Sequence, residues 1–334
     1  MRRRHLLAGI GALSLPAVAR AQAAPLVIRF GWAITPAQFL PLIFANTGIL
    51  KHYGRSYTAE GYYFKGSAPQ ITALAAGELE IAALAFSSFG LAIQNAHMAD
   101  IRVVGDLYQD GVTGFYSSQY VVRADSGIKT VEDLKGKTIA TNGLGGAIDM
   151  AMREMLRKHG LEDKRDYKVI EVEFPNMAAM LGEQKVDMAG MVAPFSLTEV
   201  KAGRVRSLFT IADAMGVAQT TLMAARAPVI AKNRAAFVDF FEDVQTGTRW
   251  LLDPANRPEA LALVSKVTKQ PVANFADWLF TGDDYFHSPD AMPNVKALQA
   301  NLVVQKELGF LKADIDVAKY SDLSLVEEAA KRHG

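Results

Sequence analysis

Short apolar runs bounded by glycine, proline and small polar residues alternate with longer stretches in which apolar side chains recur every three or four positions. The runs Leu26-Val-Ile-Arg-Phe30, Tyr57 to Phe64, Leu79-Glu-Ile-Ala-Ala-Leu84, Gln119-Tyr-Val-Val122, Thr138-Ile-Ala-Thr141, Lys168 to Val172 and Val186-Asp-Met-Ala189 predict strands. Between them the helical period predicts helices through Phe39, Leu40, Leu42, Ile43 and Phe44 as far as Gly48, from Ser67 to Gly77, from Ala147 to Gly160, from Pro175 through Leu181, and from Ala193-Pro-Phe-Ser196 onward. Beyond Ala212 the chain returns through Gln219-Thr-Thr-Leu-Met223 to a helical tail; one helix carries Phe237, Phe240, Phe241, Val244 and Leu251, and later ones begin near Pro258, Pro271 and Met292. Regular alternation of strand and helix predicts an α/β fold on parallel sheets, because parallel neighbours need a long connection that a helix supplies.

The most informative stretch runs from Thr138 to Leu156. A strand ends in Asn142-Gly-Leu-Gly-Gly146, and Ala147 opens a helix whose apolar stripe is Ile148, Ala151, Met152, Met155 and Leu156. Asp149 in the first turn and Arg157 and Lys158 in the last complement the helix dipole, and Gly160 closes it. Such a helix start presents unpaired N–H groups at a strand end, a seat for an anion. Taken alone, a glycine turn is more often just a tight strand-to-helix connection. Ser67-Ala-Pro-Gln70 reads as a capping box with proline in the first turn of a second helix that also starts past a strand end. The two regions are related at an offset of 107 residues: Leu74 matches Leu181, and Leu79-Glu80-Ile81-Ala82 matches Val186-Asp187-Met188-Ala189.

The first residues change the charge balance. Arg3 and Arg4 precede two leucines, an apolar run extends to Val18, and Ala21-Gln22-Ala23 has the small residues of a cleavage site, so residues 1–23 read as a twin-arginine-like export signal. Removing them takes away four arginines and no acid, turning the formal net charge from +1 to −3, which disfavours non-specific nucleic-acid binding. Cysteine is absent, which excludes disulfides, thiol catalysis and a lipid-modified cysteine. The six histidines include no pair at zinc-ligand spacing, and there is no G-x-S-x-G elbow or Walker A run. Ile148 stands where a dinucleotide fingerprint needs glycine. The chain is therefore expected to be a binding protein with no cofactor and no metal.

The blocks Lys65-Gly-Ser-Ala-Pro-Gln-Ile-Thr-Ala-Leu-Ala-Ala-Gly-Glu-Leu-Glu-Ile-Ala82, Thr130-Val-Glu-Asp-Leu-Lys-Gly-Lys-Thr-Ile-Ala-Thr141 and Val186-Asp-Met-Ala-Gly190, in this order, resemble periplasmic solute-binding proteins of ABC importers, in the nitrate/taurine/sulfonate group. The resemblance implies the type II periplasmic binding protein fold, two Rossmann-like lobes joined by crossovers near residues 110–120 and 210–222. Lobe one would be 24–112 plus the tail 215–334, and lobe two 115–212. It implies a small-molecule ligand, a membrane permease with its cytoplasmic ATPase as partner, a periplasmic location and a monomer. Carried over position by position, the ligand contacts fall at Trp32, Ser67, Phe86, Ser87, Ser88, Asn142, Gly145, Gly146, Ala147, Pro194, Phe195, Gln219 and Thr220. Read from the residues, Ser67 is first a helix cap, and Phe86 and Phe195 are as readily core residues. The sequence departs from the family pattern at Gln184, where the helix often ends in glycine, and in the aromatic run Tyr62-Tyr63-Phe64. The expected ligand is a sulfonate or taurine-like anion or an aromatic carboxylate; the alternative is a neutral pyrimidine, bound or made by a synthase-like relative on the same fold.

Overall fold

The computed structural model describes residues 24–96 and 98–333, so the predicted export signal lies outside the described residues. The first segment runs β1 (Leu26–Trp32), α1 (Leu40–Ile43), β2 (Tyr57–Tyr63), α2 (Ser67–Ala75), β3 (Ala82–Ala85), α3 (Phe86–Asn95) and β4 (Ile101–Asp110). The second runs β5 (Gln119–Arg123), β6 (Thr138–Thr141), α4 (Ala147–Lys158), β7 (Lys168–Glu171), α5 (Phe174–Gly182), β8 (Met188–Met191), α6 (Phe195–Lys201), β9 (Val205–Thr210) and α7 (Ile211–Met215). The chain then returns as β10 (Ala218–Arg226) and ends in α8 (Ala227–Leu252), α9 (Arg257–Thr268), α10 (Val295–Glu307) and α11 (Ser324–Lys331). None of the described helices is long and apolar enough to cross a membrane.

The two lobes repeat one sheet design. In the second the strand order is β7-β6-β8-β5-β9. In the first, β2 pairs with β1, a single bridge between Phe30 and Ile81 joins β1 to the β3 side, and the rest runs β3-β10-β4. The sheets are not wholly parallel, as the alternation of elements had predicted: β5 runs antiparallel to β8 and β9, and β10 antiparallel to β3 and β4. Connectivity explains this. The chain leaves each lobe at the carboxyl end of a parallel strand, β4 or β9, and enters the other sheet from that same end, so the entering strand must run backwards. The carboxyl ends of the parallel strands in both lobes therefore face the crossovers, where ligands of open α/β sheets bind.

The 107-residue repeat has a structural counterpart, since α2 begins at Ser67 and α5 at Phe174. At the ends of these helices Gly77 has φ +73° and Gln184 has φ +59°, both left-handed, so the second lobe places a glutamine where only glycine is unstrained. Replacing Gln184 by glycine should raise the unfolding free energy by about 0.5–1 kcal/mol, because the left-handed penalty exceeds the extra freedom glycine gives the unfolded chain. A denaturant titration with an unchanged slope checks this.

Helix α4 is buried on more faces than its stripe predicts. Ile148, Ala151, Met152, Met155 and Leu156 pack on their own sheet with Tyr120 and Ile139. Ala147 and Met150, on the opposite face, join the first lobe's cluster with Phe86, Leu298 and Leu302. The helix is thus the packing element between the lobes, which explains why Met150 is fully buried although it lies off the predicted stripe.

Candidate functional site

A cavity of about 500 Å³ lies between the lobes at these carboxyl ends, within the range of small-molecule sites. The first lobe contributes the β1–α1 turn, the starts of α2 and α3, and the hinge strands; the second contributes the glycine turn, the start of α4, Glu171 and Phe174. Helices α2, α3, α4 and α5 all begin at this cavity, two from each lobe.

Local hydrogen bonds shape each wall. Ser67 is the first residue of α2 rather than its cap, so the predicted capping box is not formed. Instead Ser67 Oγ accepts from Ala85 N at 3.0 Å and Gln70 Oε1 from Ala83 N at 2.8 Å. These side chains satisfy β3 beyond its contact with β1, a stronger demand than capping because Ala83 N is buried. Gly31 makes room for this: a Cβ there would stand 2.3 Å from Gln70 Oε1. Gln38 Oε1 holds the β1–α1 turn by accepting from Ala33 N at 2.8 Å.

The glycine turn differs from a vacant anion seat. Leu144 N donates to Glu171 Oε1 at 2.7 Å, Gly145 N to Asp149 Oδ2 at 2.8 Å, and Gly146 N to Gly143 O at 3.1 Å. Gly145 has φ +76°, which glycine alone adopts without strain. Asp149 is buried and also accepts from Arg153 Nε at 2.9 Å; burial pushes its carboxyl upward, while Arg153 and the Gly145 N–H oppose that shift. The chain's own carboxylates thus take two of the turn's donors. The N–H groups left without an intrahelical partner are those of the first turn of α4, Ala147, Ile148 and Asp149, since the helix ladder begins with Met150 N on Gly146 O.

Of the residues carried over by resemblance, Ser67, Ser88, Asn142, Gly145, Gly146, Ala147 and Thr220 line this cavity together. The remaining ones are placed elsewhere. Trp32 packs its ring on Tyr63 at 5.0 Å, while its neighbours Ala33 and Ile34 face the cavity. Phe86 is buried at the lobe–lobe contact with Ala147 and Met150, and Ser87 is buried within the first lobe, where its carbonyl accepts from Gln305 Nε2 of the tail. Gln219 is buried in the hinge, donating to Asp106 Oδ1 at 2.6 Å and accepting from Asn294 N at 2.6 Å. Pro194 and Phe195 border a separate groove.

Glu171, Phe174, Thr221, Tyr108 and Lys65 also line the cavity and were missed. Glu171 and Phe174 stand at the end of β7 and the start of α5, so the rule that ligands sit past strand ends could have found them. Tyr108 could not, since it reaches the cavity from within hinge strand β4. The charged side chains on the lining are Lys65 and Glu171, both exposed. The interior polar groups are neutral: Ser67, Ser88, Thr220, Tyr108 and Thr221, whose buried Oγ1 has no hydrogen-bond partner.

Of the described histidines none lines the cavity. His287 is buried beneath β4, stacked on Phe39 at 3.7 Å, with Nδ1 donating to Leu107 O. Burial pushes it down to about 3, so it stays neutral and remote from the cleft. His52 is committed to Glu242 at 3.0 Å, and Lys51 and Arg332 also pair with that carboxylate. Lys51 and Arg332 thus place two fixed cations on the carboxylate that His52 meets.

The sequence profile described as NMT1/THI5 like matches residues 64–257, more than half of the chain. The chain belongs to the NMT1/THI5-like family. Solved structures agree at the level of the fold. The periplasmic aliphatic sulphonate binding protein SsuA from Escherichia coli superposes with a TM-score of 0.70 at 19% identity, over 89% of this chain and 92% of that one. The periplasmic nitrate-binding protein NrtA from Synechocystis PCC 6803 gives 0.70 at 19%, over 92% and 89%. The desulfurization enzyme DSZB gives 0.65 at 12%, over 92% and 100%, so the same fold also carries catalysis. In this NMT1/THI5-like chain the matched region begins with the approach to α2 and extends through the second lobe and β10 into α9, so it contains nearly every wall of the cleft. The β1–α1 turn lies before it.

Proposed function

We propose that this protein is the substrate-binding component of an ABC importer, exported to the periplasm, which captures a small organic anion of sulfonate, taurine-like or aromatic carboxylate type and delivers it to a membrane permease and its ATPase. The observation that carries the reading is the convergence of four helix N-termini, two from each lobe, on one neutral cleft. Their dipoles favour negative charge in the interior of the cleft, where the lining cation, Lys65, is exposed at the edge and offset by Glu171. Ala147 and Ile148 would donate backbone N–H bonds to the head group, and Ser67, Ser88 and Thr220 hydroxyl bonds from the opposite wall. A ligand held from both sides stabilises the closed arrangement of lobe one (24–112 plus 215–334) on lobe two (115–212), so binding and hinge closure are one event. The protein would act as a monomer without cofactor and release its ligand unchanged.

A second reading, a neutral pyrimidine ligand, draws support from the two turn N–H groups already taken by Glu171 and Asp149 and from the lack of arginine on the lining. A thermal-shift series of sulfonates, carboxylates and pyrimidines separates the two, because a ligand at 100 times its Kd adds about 2.7 kcal/mol to native stability. Stabilisation by an anion that weakens with salt supports the first reading; stabilisation by pyrimidines alone sinks it. Gly146→Val should lower affinity for the stabilising ligand at least about tenfold. Its Cβ would stand 3.1 Å from Gly143 O and its branches would cover the start of α4. Unchanged affinity would remove α4 from the site. Turnover of the ligand by the purified protein would instead make it a catalyst.

A further inference from the structure

The hinge strands β4 and β10 form the floor of the cleft, where they meet the first lobe's wall. Tyr108 of β4 lies directly opposite Thr221 of β10 in the antiparallel ladder, so the two side chains share one face. The register of β10 slips between Ala218 and Thr221 and again before Leu222. At this irregularity the successive residues Thr220 and Thr221 both line the cavity, where a regular strand would turn one of them away. Gln219 pins the irregular stretch, its Nε2 donating to Thr221 O at 2.9 Å as well as to Asp106 Oδ1. The floor is therefore set by the hinge itself.

Two neutral donors on this side of the cleft are left over. Gln38 is only 2% exposed and lines the cavity. Its Oε1 accepts from Ala33 N at 2.8 Å and from Ile34 N at 3.3 Å, which fixes the amide's orientation, because a flipped amide would set its NH2 against two N–H groups. No acceptor among the described residues takes the Nε2 protons. The ring of Tyr108 is held 4.7 Å from that of Tyr285, and Thr221 Oγ1 stands beside the phenol, buried and without a hydrogen bond of its own. Burial and the charge of Asp110 push the Tyr108 phenol above its ordinary value, so it remains an O–H donor. Native proteins leave few buried polar groups unpaired, and here they cluster on a cavity wall.

We propose that Gln38 and Tyr108 are specificity-determining residues that bind an uncharged oxygen acceptor on the ligand, a carbonyl or ether oxygen set apart from its anionic head group. The inference rests on the reading of the cleft as an anion site and adds which anions it selects: those with a neutral oxygen on the body, against those with a plain alkyl chain. The head group belongs at the start of α4 and not at the floor. Asp110 lies two residues along β4 and its charge already bears on the Tyr108 phenol, so a second negative charge beside it is unfavourable. A neutral oxygen carries no such penalty and accepts from both groups. An alkyl chain in the same place would cover the two donors and leave them unpaired, which costs more than the apolar contact returns.

The test compares 2-oxopropane-1-sulfonate with 2-methylpropane-1-sulfonate, which has a methyl group in place of the carbonyl oxygen, by calorimetry on the purified full chain. The wild type should bind the oxo compound about tenfold more tightly. Tyr108→Phe removes one hydroxyl and should cut that ratio about fivefold while leaving the methyl compound within about twofold. Gln38→Glu keeps the acceptor for Ala33 N and Ile34 N but loses the NH2 group; its charge weakens both sulfonates, and the ratio between them should fall to about one. A wild type that prefers the methyl compound, or a ratio unchanged in both variants, overturns the inference and leaves the anion reading in place. If neither sulfonate binds the wild type, the anion reading fails and this assignment falls with it. Unchanged melting temperatures of the unliganded variants establish that folding is not the cause of any loss, and Tyr108→Phe, which keeps the ring against Tyr285, serves should Gln38→Glu prove unstable.

Discussion

Exchanging Asp243 for alanine should lower the unfolding free energy by about 3–5 kcal/mol, a large share of the stability of a domain. Asp243 sits fully buried on α8, and its carboxylate accepts from Lys51 N at 2.8 Å, His52 N at 3.0 Å, Tyr53 N at 2.9 Å and the Tyr57 hydroxyl at 2.8 Å. One carboxylate therefore fixes the turn that feeds β2 onto the tail helix that covers it. Alanine strands three backbone donors and a tyrosine hydroxyl in an apolar setting of Phe44, Tyr57 and Phe240. Each buried unsatisfied donor costs about 1–3 kcal/mol, less whatever water recovers. Asp243→Asn keeps one acceptor and should fall between the two, and denaturant titration of all three proteins measures the series. A loss below about 1 kcal/mol for the alanine variant would show that the segment 51–57 is held by packing alone.

The second large effect belongs to the hinge. Gly111 follows β4 directly and has φ +77°; a Cβ on it would lie 2.6 Å from Gly216 O and 3.2 Å from the Cα of Ala212. The outward and returning crossovers thus touch backbone to backbone at this point. Gly111→Ala should cost at least about 2 kcal/mol, the left-handed penalty plus the displacement of a neighbouring main chain that cannot rotate away. Gly114 in the same crossover is the control: its φ is +85°, but a Cβ there meets nothing within 4 Å, so Gly114→Ala should carry only the conformational part. The two variants also differ in function. Separating the crossovers at Gly111 should change the equilibrium between open and closed lobes, read as a change in the radius of gyration on adding ligand, whereas Gly114→Ala should leave it as in the wild type. Equal behaviour of the two would show that the close approach is incidental to the hinge.

Much of the architecture follows from local pattern. The strand Thr138–Thr141, the glycine turn and the start of α4 at Ala147 stand where the alternation and helical period place them, because each depends on neighbours in sequence. The repeat at 107 residues located α2 and α5 for the same reason. Ser88, Asn142, Gly146 and Thr220 were legible as cleft residues through the family resemblance, and for Ser88, Asn142 and Gly146 the rule that ligands sit past the carboxyl ends of strands agrees with it.

Other features depend on contacts between distant segments, and no local pattern carries them. The antiparallel course of β5 and β10 follows from where the chain enters each sheet. Phe86 and Met150 are core because two lobes press on them, and Phe195 faces a groove because a tail segment 75 and more residues later forms its other wall. Glu171 and Asp149 occupy donors that the sequence presents as vacant, since Leu144 and Glu171 meet only when β7 is laid beside β6. The sequence alone determined where the helix N-termini lie along the chain; the tertiary structure decided that four of them meet at one cleft and which N–H groups they still offer there. Dipole direction is local to a helix, whereas convergence and occupancy are set by packing across the whole chain.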